Sequence, residues 1–219
     1  LSSGTRGHIE NFESVVKDLF FLVDNSQKNS DENEKWIILG HGLGGLVTLD
    51  LINRYQELIE NKIDGLVLSN FILKFSSIVL QIENQVTSIS MGIKNLMAHL
   101  RFVRLLKGSE MLSRPRDILQ FDQDPLLVHR PTLVTFKEIQ NKVANIYQDS
   151  YFLGKPILLL KSDRDNAINS NGIDYFAKGI KKELLTEKNY SLMKHDLYNE
   201  TDREIVFQDI MDWMKMYEN

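Results

Sequence analysis

Two hydrophobic periods alternate along this chain, and their order already outlines an architecture. From Ile9 to about Ser26 the apolar positions Phe12, Val15, Val16, Leu19, Phe20, Leu22 and Val23 recur at three- and four-residue steps. With Glu10 and Glu13 at its start, where a helix dipole favours acids, the segment predicts an amphipathic helix. Asn25 to Glu34 is polar and aperiodic, a surface loop. The run Lys35-Trp36-Ile37-Ile38-Leu39 is short and continuously apolar, as a strand buried on both faces must be. A glycine-rich turn follows. Leu46 to Ile59, apolar at Leu46, Val47, Leu49, Leu51, Ile52, Tyr55 and Leu58, is too long for a strand and predicts a partly buried helix. Ile63 to Ser69 predicts a second strand, so helices and strands alternate as in an α/β fold with a parallel sheet.

Between Asn70 and Ser150 the pattern changes. Ile89 to Leu106 and Leu133 to Tyr147 carry helical periodicity, and Ser113-Arg114-Pro115-Arg116 and Asp124-Pro125 interrupt it. No strong strand signal occurs there. Lys155 to Leu160 restores the buried-strand pattern, followed by a helix over Asn171 to Lys181, a weaker strand near Glu183 to Tyr190 and a closing helix over Thr201 to Met216. The expected organisation is an α/β core in two parts, residues 1–70 and 151–219, with a helical insertion over 71–150.

Composition narrows the chemistry. Twenty-six Lys and Arg against 30 Asp and Glu give a net charge of -4, which supplies no electrostatic reason to expect nucleic acid. Zero cysteines exclude disulfides, thiolate metal sites and a Cys nucleophile, and leave the compartment undecided. A cytoplasmic location is the default expectation. The longest apolar runs fall short of the roughly 20 residues a membrane helix needs. The opening Leu1-Ser2-Ser3-Gly4-Thr5-Arg6, without an initiator Met or signal pattern, reads as the interior of a longer polypeptide.

The chemically pointed feature is Gly40-His41-Gly42-Leu43-Gly44-Gly45, set between a predicted strand and a predicted helix. Gly40, Gly42 and Gly45 meet the dinucleotide pattern G-x-G-x-x-G literally. That pattern needs an acid about 20 residues on, at the end of the next strand. Asp64 precedes the strand, Glu60 lies in the helix before it, and Ser69 and Asn70 end it, so the partner is missing. The competing pattern is the nucleophile elbow, G-x-S-x-G, which Gly40 and Gly44 fit with Gly42 in the nucleophile position. An elbow also predicts an acid after a later strand and a histidine after the last one. Lys161-Ser162-Asp163-Arg164-Asp165 and Met193-Lys194-His195-Asp196 stand at those places.

With these residues in hand, the chain resembles the α/β-hydrolase superfamily, and within it the monoacylglycerol lipase, lysophospholipase and serine aminopeptidase-like group. Members carry G-H-S-x-G-G where this chain has Gly40 to Gly45. Leu1 to His8 is similar to the segment after the family's early G-x-S turn, and Asp124-Pro125-Leu126-Leu127-Val128-His129 to a D-P-L-V-H stretch in its helical cap. The resemblance implies a carboxylic ester hydrolase acting on a small lipid or ester, with no cofactor, no metal and at most transient contact with a membrane surface. It assigns the triad acid to Asp165, whose seven-residue spacing to Gly172 fits better than that of Asp163, and the general base to His195. Gly42 takes the nucleophile position without a side chain, and the Leu43 amide is one oxyanion donor. The other donor, like the early strands, is expected upstream of Leu1. His41 would pack or hydrogen-bond beneath the turn; His8, His99 and His129 read as structural or surface residues. The cap helices would receive an acyl chain, or their apolar stripes are simply the cap's own core. Gly42 leaves three readings open: an engineered knockout, a natural relative that binds lipid or ester without turnover, and a dinucleotide loop.

Overall fold

Parallel pairing organises the chain. In the computed structural model, which describes residues 4–28, 31, 34–73, 101, 104, 106–146 and 154–217, a four-stranded sheet runs in the order β1 (Ile37–His41), β2 (Gly65–Ser69), β3 (Ile157–Lys161) and β4 (Leu185–Asn189). Every pair is parallel, and the register sets Leu39 beside Val67, Val67 beside Leu158, and Leu158 beside Thr186.

Because strand side chains alternate between faces, β2 and β3 sort their residues into two cores. Leu66, Leu68, Ile157 and Leu159 join α1 (Phe12–Gln27), α2 (Leu43–Arg54), α6 (Leu133–Ile146) and α7 (Asn171–Lys178) on one side. Val67, Leu158 and Leu160 meet Val206, Ile210 and Trp213 of α8 (Arg203–Lys215) on the other. The remaining described α-helices are α3 (Gln56–Ile59), α4 (Gly108–Met111) and α5 (Pro115–Gln123). The α/β expectation with a mostly parallel sheet is therefore met.

The boundaries move for local reasons. Helix α1 begins at Phe12 rather than Ile9 because the Asn11 side chain accepts the Glu13 N–H at 2.8 Å and caps it. Strand β1 runs two residues past Leu39, to His41, and α2 starts at Leu43, three residues before the expected Leu46. The turn between them is Gly42 alone. The single helix expected over 46–59 is two, parted at Tyr55, whose ring stacks on Phe20 with centroids 4.5 Å apart. Helix α5 escaped the sequence pattern: Pro115 sits at its first position, where a missing N–H costs no helical bond. A short 3-10 turn, Lys182–Leu184, delays β4 to Leu185. Most of the helix expected over 89–106 lies outside the described residues, and residues 101, 104 and 106 are not helical.

Helix α6 is tied to the core electrostatically as well as by packing. Asp50 of α2, only 2% exposed, accepts Lys142 Nζ at 2.8 Å and Arg54 Nε at 3.0 Å.

Candidate active site

In a parallel sheet all strands point the same way, so their carboxyl ends deliver successive loops to one edge. Here β1 leads to Gly42, β2 to Asn70, β3 to Asp165 and β4 to His195.

Gly42 has φ +54° and ψ −118°, a positive-φ conformation that glycine adopts readily, and it turns β1 into α2 within one residue. Its N–H donates to the Ser69 carbonyl at 3.1 Å and its carbonyl accepts the Ile72 N–H at 3.2 Å, which fastens the turn to the end of β2. A Cβ at this position would lie 3.4 Å from His195 Nε2. Residue 42 thus directs any side chain at that imidazole.

The neighbouring glycines serve packing. A Cβ on Gly45 would come within 2.3 Å of Phe71 Cβ, and one on Gly40 within 2.7 Å of Gly45 Cα, so β1 and α2 approach more closely than any side chain permits. Gly44 is different: among the described residues nothing lies within 4 Å of its Cβ position. Two of the three glycines of the literal G-x-G-x-x-G are thereby explained by helix-on-strand contact. Where that pattern needs a ribose-binding acid, β2 ends in Ser69 and Asn70, both turned to the site's own hydrogen bonds.

His195 Nδ1 lies 2.7 Å from Asp165 Oδ2. The other carboxylate oxygen accepts the N–H groups of Ala167 at 2.9 Å and Ile168 at 3.2 Å. Both oxygens act as acceptors, so His195 Nδ1–H is the donor and Nε2 faces residue 42. The Asp165 side chain is 1% exposed and that of His195 9%, which shields the pair from water. Asp163, the other candidate acid, is exposed and accepts from Asn189 Nδ2 at 2.8 Å, away from the imidazole.

The loop bearing His195 is fixed from two sides. From the sheet, buried Asn70 donates from Nδ2 to the His195 carbonyl at 2.8 Å and accepts the Ser162 N–H on Oδ1 at 3.0 Å. Ser162 Oγ in turn donates to the Met193 carbonyl. From α4 and the residue after it, the Met111 carbonyl accepts the Asp196 N–H at 3.0 Å, and the carbonyls of Ser109 and Leu112 receive Lys194 Nζ at 2.7 and 3.1 Å. Buried Glu200 closes the link, accepting Ser113 Oγ at 2.8 Å and the Lys194 N–H at 3.1 Å.

Sequence reasoning missed Asn70, Ser162 and Glu200 as supporting residues. The available signal was an Asn directly after a buried strand, a residue type that tolerates left-handed backbone; Asn70 has φ +38°.

His41 lies beneath the turn. Its Nδ1 donates to the Ser69 carbonyl at 3.1 Å, and its ring centroid is 4.9 Å from that of His195 and 5.5 Å from that of Tyr198. Burial, and then the neighbouring His195, push its pKa down, so it sits there as neutral imidazole. Leu43 opens α2, where the first helical N–H groups have no intrahelical acceptor. His8 meets Thr132 Oγ1 at 2.9 Å and His129 Nδ1 the Leu106 carbonyl at 3.2 Å, both remote in sequence from the elbow; His99 lies outside the described residues. Among the described residues no group of three His, Asp or Glu side chains could hold a metal ion, and no helix is long and apolar enough to cross a membrane.

The family model for the serine aminopeptidases S33, Hydrolase_4, matches residues 1–202. The chain belongs to that family. This S33-family chain is 22% identical over 205 residues to phospholipase YtpA of Bacillus subtilis (strain 168), covering 93% of the chain and 75% of that protein. It is 22% identical over 219 residues to the monoacylglycerol lipase of Mycolicibacterium smegmatis, covering 97% and 73%. The crystal structure of Paleococcus ferrophilus monoacylglycerol lipase superposes with a TM-score of 0.78 at 19% identity, over 99% of this chain and 79% of that one. A soluble variant of monoglyceride lipase from Saccharomyces cerevisiae gives 0.74 at 16% identity, over 94% and 69%. The S33-family chain thus has the α/β-hydrolase fold.

Proposed function

We propose that this chain is a carboxylic ester hydrolase of lysophospholipase or monoacylglycerol lipase type in every part of its site except the nucleophile, and that glycine at position 42 severely reduces its turnover. One observation carries the reading: His195 Nε2 faces the Cβ direction of residue 42 at 3.4 Å while its Nδ1 is held by Asp165 at 2.7 Å. Acid, base and elbow are in line; a hydroxyl is what the line lacks. The small-lipid substrate class rests on the phospholipase and monoacylglycerol lipase relatives, and the insertion over 71–150 is the cap that would wall the acyl site.

With serine at 42, its Oγ would attack the ester carbonyl, His195 Nε2 would take the proton, Asp165 would hold the imidazolium, and the Leu43 N–H would face the oxyanion. With glycine no acyl-enzyme forms. Removing the serine from such a triad costs about 10⁶-fold in turnover. A second reading is binding of lipid or ester without turnover, favoured by a site whose supporting contacts are all in place around a missing hydroxyl.

The deciding experiment is Gly42→Ser in the full-length protein, assayed on a short p-nitrophenyl ester and on a monoacylglycerol. A rise of roughly 10³-fold or more, abolished by adding His195→Ala or Asp165→Ala, supports the hydrolase reading. A folded, inert serine variant transfers the case to ligand binding.

A further inference from the structure

Glycine at 42 takes away a nucleophile, but it also takes away the methylene that would stand before the catalytic base. Among the described residues a Cβ there would meet only His195, at 3.4 Å from Nε2 and 4.0 Å from Cε1. The atoms a serine adds beyond Cα, one carbon and one oxygen, occupy about the ~30 Å³ that a water molecule claims in the liquid. The site in this chain therefore presents an oriented base to a water-sized space.

Resting on the ester-hydrolase reading, we propose that the glycine-bearing chain hydrolyses activated carboxylic esters by direct attack of water, with His195 as general base and no covalent intermediate. The water oxygen bonds to the acyl carbon while Nε2 takes one of its protons, and the carbonyl electron pair moves onto oxygen opposite the Leu43 N–H. Collapse re-forms the C=O bond and breaks the bond to the leaving oxygen, which receives the proton back from Nε2. Carboxylic acid and alcohol leave, and the imidazole is neutral again. Asp165 keeps its hydrogen bond to Nδ1 throughout and stabilises the transient imidazolium, so the dyad does for water what it would do for a hydroxyl.

The distinction from other serine losses is steric. An alanine methyl at 42 would take the carbon's share of that space, at van der Waals contact with Nε2, and obstruct a water from reaching the base. Glycine leaves the base usable, and general-base assistance of this kind contributes roughly 10² to 10⁴.

The test compares the protein as it stands with Gly42→Ala, Gly42→Ser and His195→Ala, each shown folded by its thermal melt, on p-nitrophenyl acetate. Gly42→Ala carries the same backbone strain as Gly42→Ser, so it separates strain from loss of space. The expected result is linear release by the unaltered protein with no initial burst and no acyl adduct by mass spectrometry, at least tenfold faster than both His195→Ala and Gly42→Ala. Equal rates for the unaltered protein and His195→Ala overturn the proposal. If Gly42→Ser is active in that case, the hydrolase reading survives alone; if it is inert too, both fall.

Discussion

Asn70 and His195 are joined by a 2.8 Å hydrogen bond from the Asn70 Nδ2 to the His195 carbonyl, 125 residues apart in sequence. The same side chain accepts the Ser162 N–H, so one buried amide couples the loop of the acid to the loop of the base. Removing it leaves the buried Ser162 N–H without its partner, at about 1–3 kcal/mol, and the His195 carbonyl with only the Leu197 N–H at 3.2 Å. Asn70→Ala is expected to lower stability by roughly 1–3 kcal/mol in a urea titration. It should also weaken the His195–Asp165 bond, read as loss or faster exchange of the downfield Nδ1 proton in NMR. A destabilised variant whose Nδ1 signal is unchanged would reduce Asn70 to a packing residue.

The glycines of the turn should separate sharply under a single methyl. Gly45→Ala drives a Cβ to 2.3 Å from Phe71 Cβ, and the resulting overpacking is expected to cost about 1–3 kcal/mol or more. Gly44→Ala enters open space in the first turn of α2 and should leave stability unchanged or raise it by up to ~1 kcal/mol. Thermal melts of the two variants check this; similar losses in both would contradict the assignment of Gly45 as the contact residue.

Stability and activity should move in opposite directions at residue 42. Serine at φ +54° adopts backbone that L side chains avoid, with a strain of about 1–3 kcal/mol, while its side chain meets His195 only at ordinary contact distance. Gly42→Ser should therefore melt lower by a few degrees although it hydrolyses faster.

His41 gives the fold an acid sensitivity of definite sign. Burial, and then repulsion from His195, lower its pKa from 6.5 to about 4, against smaller opposing effects of Asp196, the Ser69 carbonyl and Asp165. Between these values the unfolded chain binds more protons than the folded one, so the contribution to stability is complete above about pH 6.5 and is lost as the pH falls through 4. Asp24, held down to about 2 by Lys62 and Lys28, acts in a lower window. His41→Gln is expected to flatten the pH dependence of the urea midpoint between pH 6.5 and 4 and leave the slope below pH 4. An unchanged slope above pH 4 would show that other groups set it.

What the sequence disclosed and what it withheld follow a physical division. Strand cores such as Leu66 to Leu68 and Ile157 to Leu160 announce themselves because burial on both faces demands continuous apolar residues. The loops after β3 and β4 stood out because parallel-sheet loops place chemistry after strands, but the choice of Asp165 over Asp163 came from the family resemblance and its spacing to Gly172. The break at Tyr55 did not stand out, since helical periodicity runs straight across it. Helix α5 was hidden because Pro115 reads as a breaker until its place at the first helical position is known. Asn70, Ser162 and Glu200 stayed silent for a related reason: each acts through partners brought together only by the completed sheet. The packing role of Gly45 is likewise a matter of which Cα faces Phe71.

Asp165 is held by Ala167, Ile168 and His195, and the His195 loop by Asn70, Ser162 and Glu200; none of these bonds involves a side chain at 42. The state of the nucleophile position is therefore uncoupled from the upkeep of the rest. A lineage could pass through glycine here without the dyad eroding for structural reasons, and a single-base change from a GGU or GGC glycine codon to an AGU or AGC serine codon would present the hydroxyl again to a base still in position.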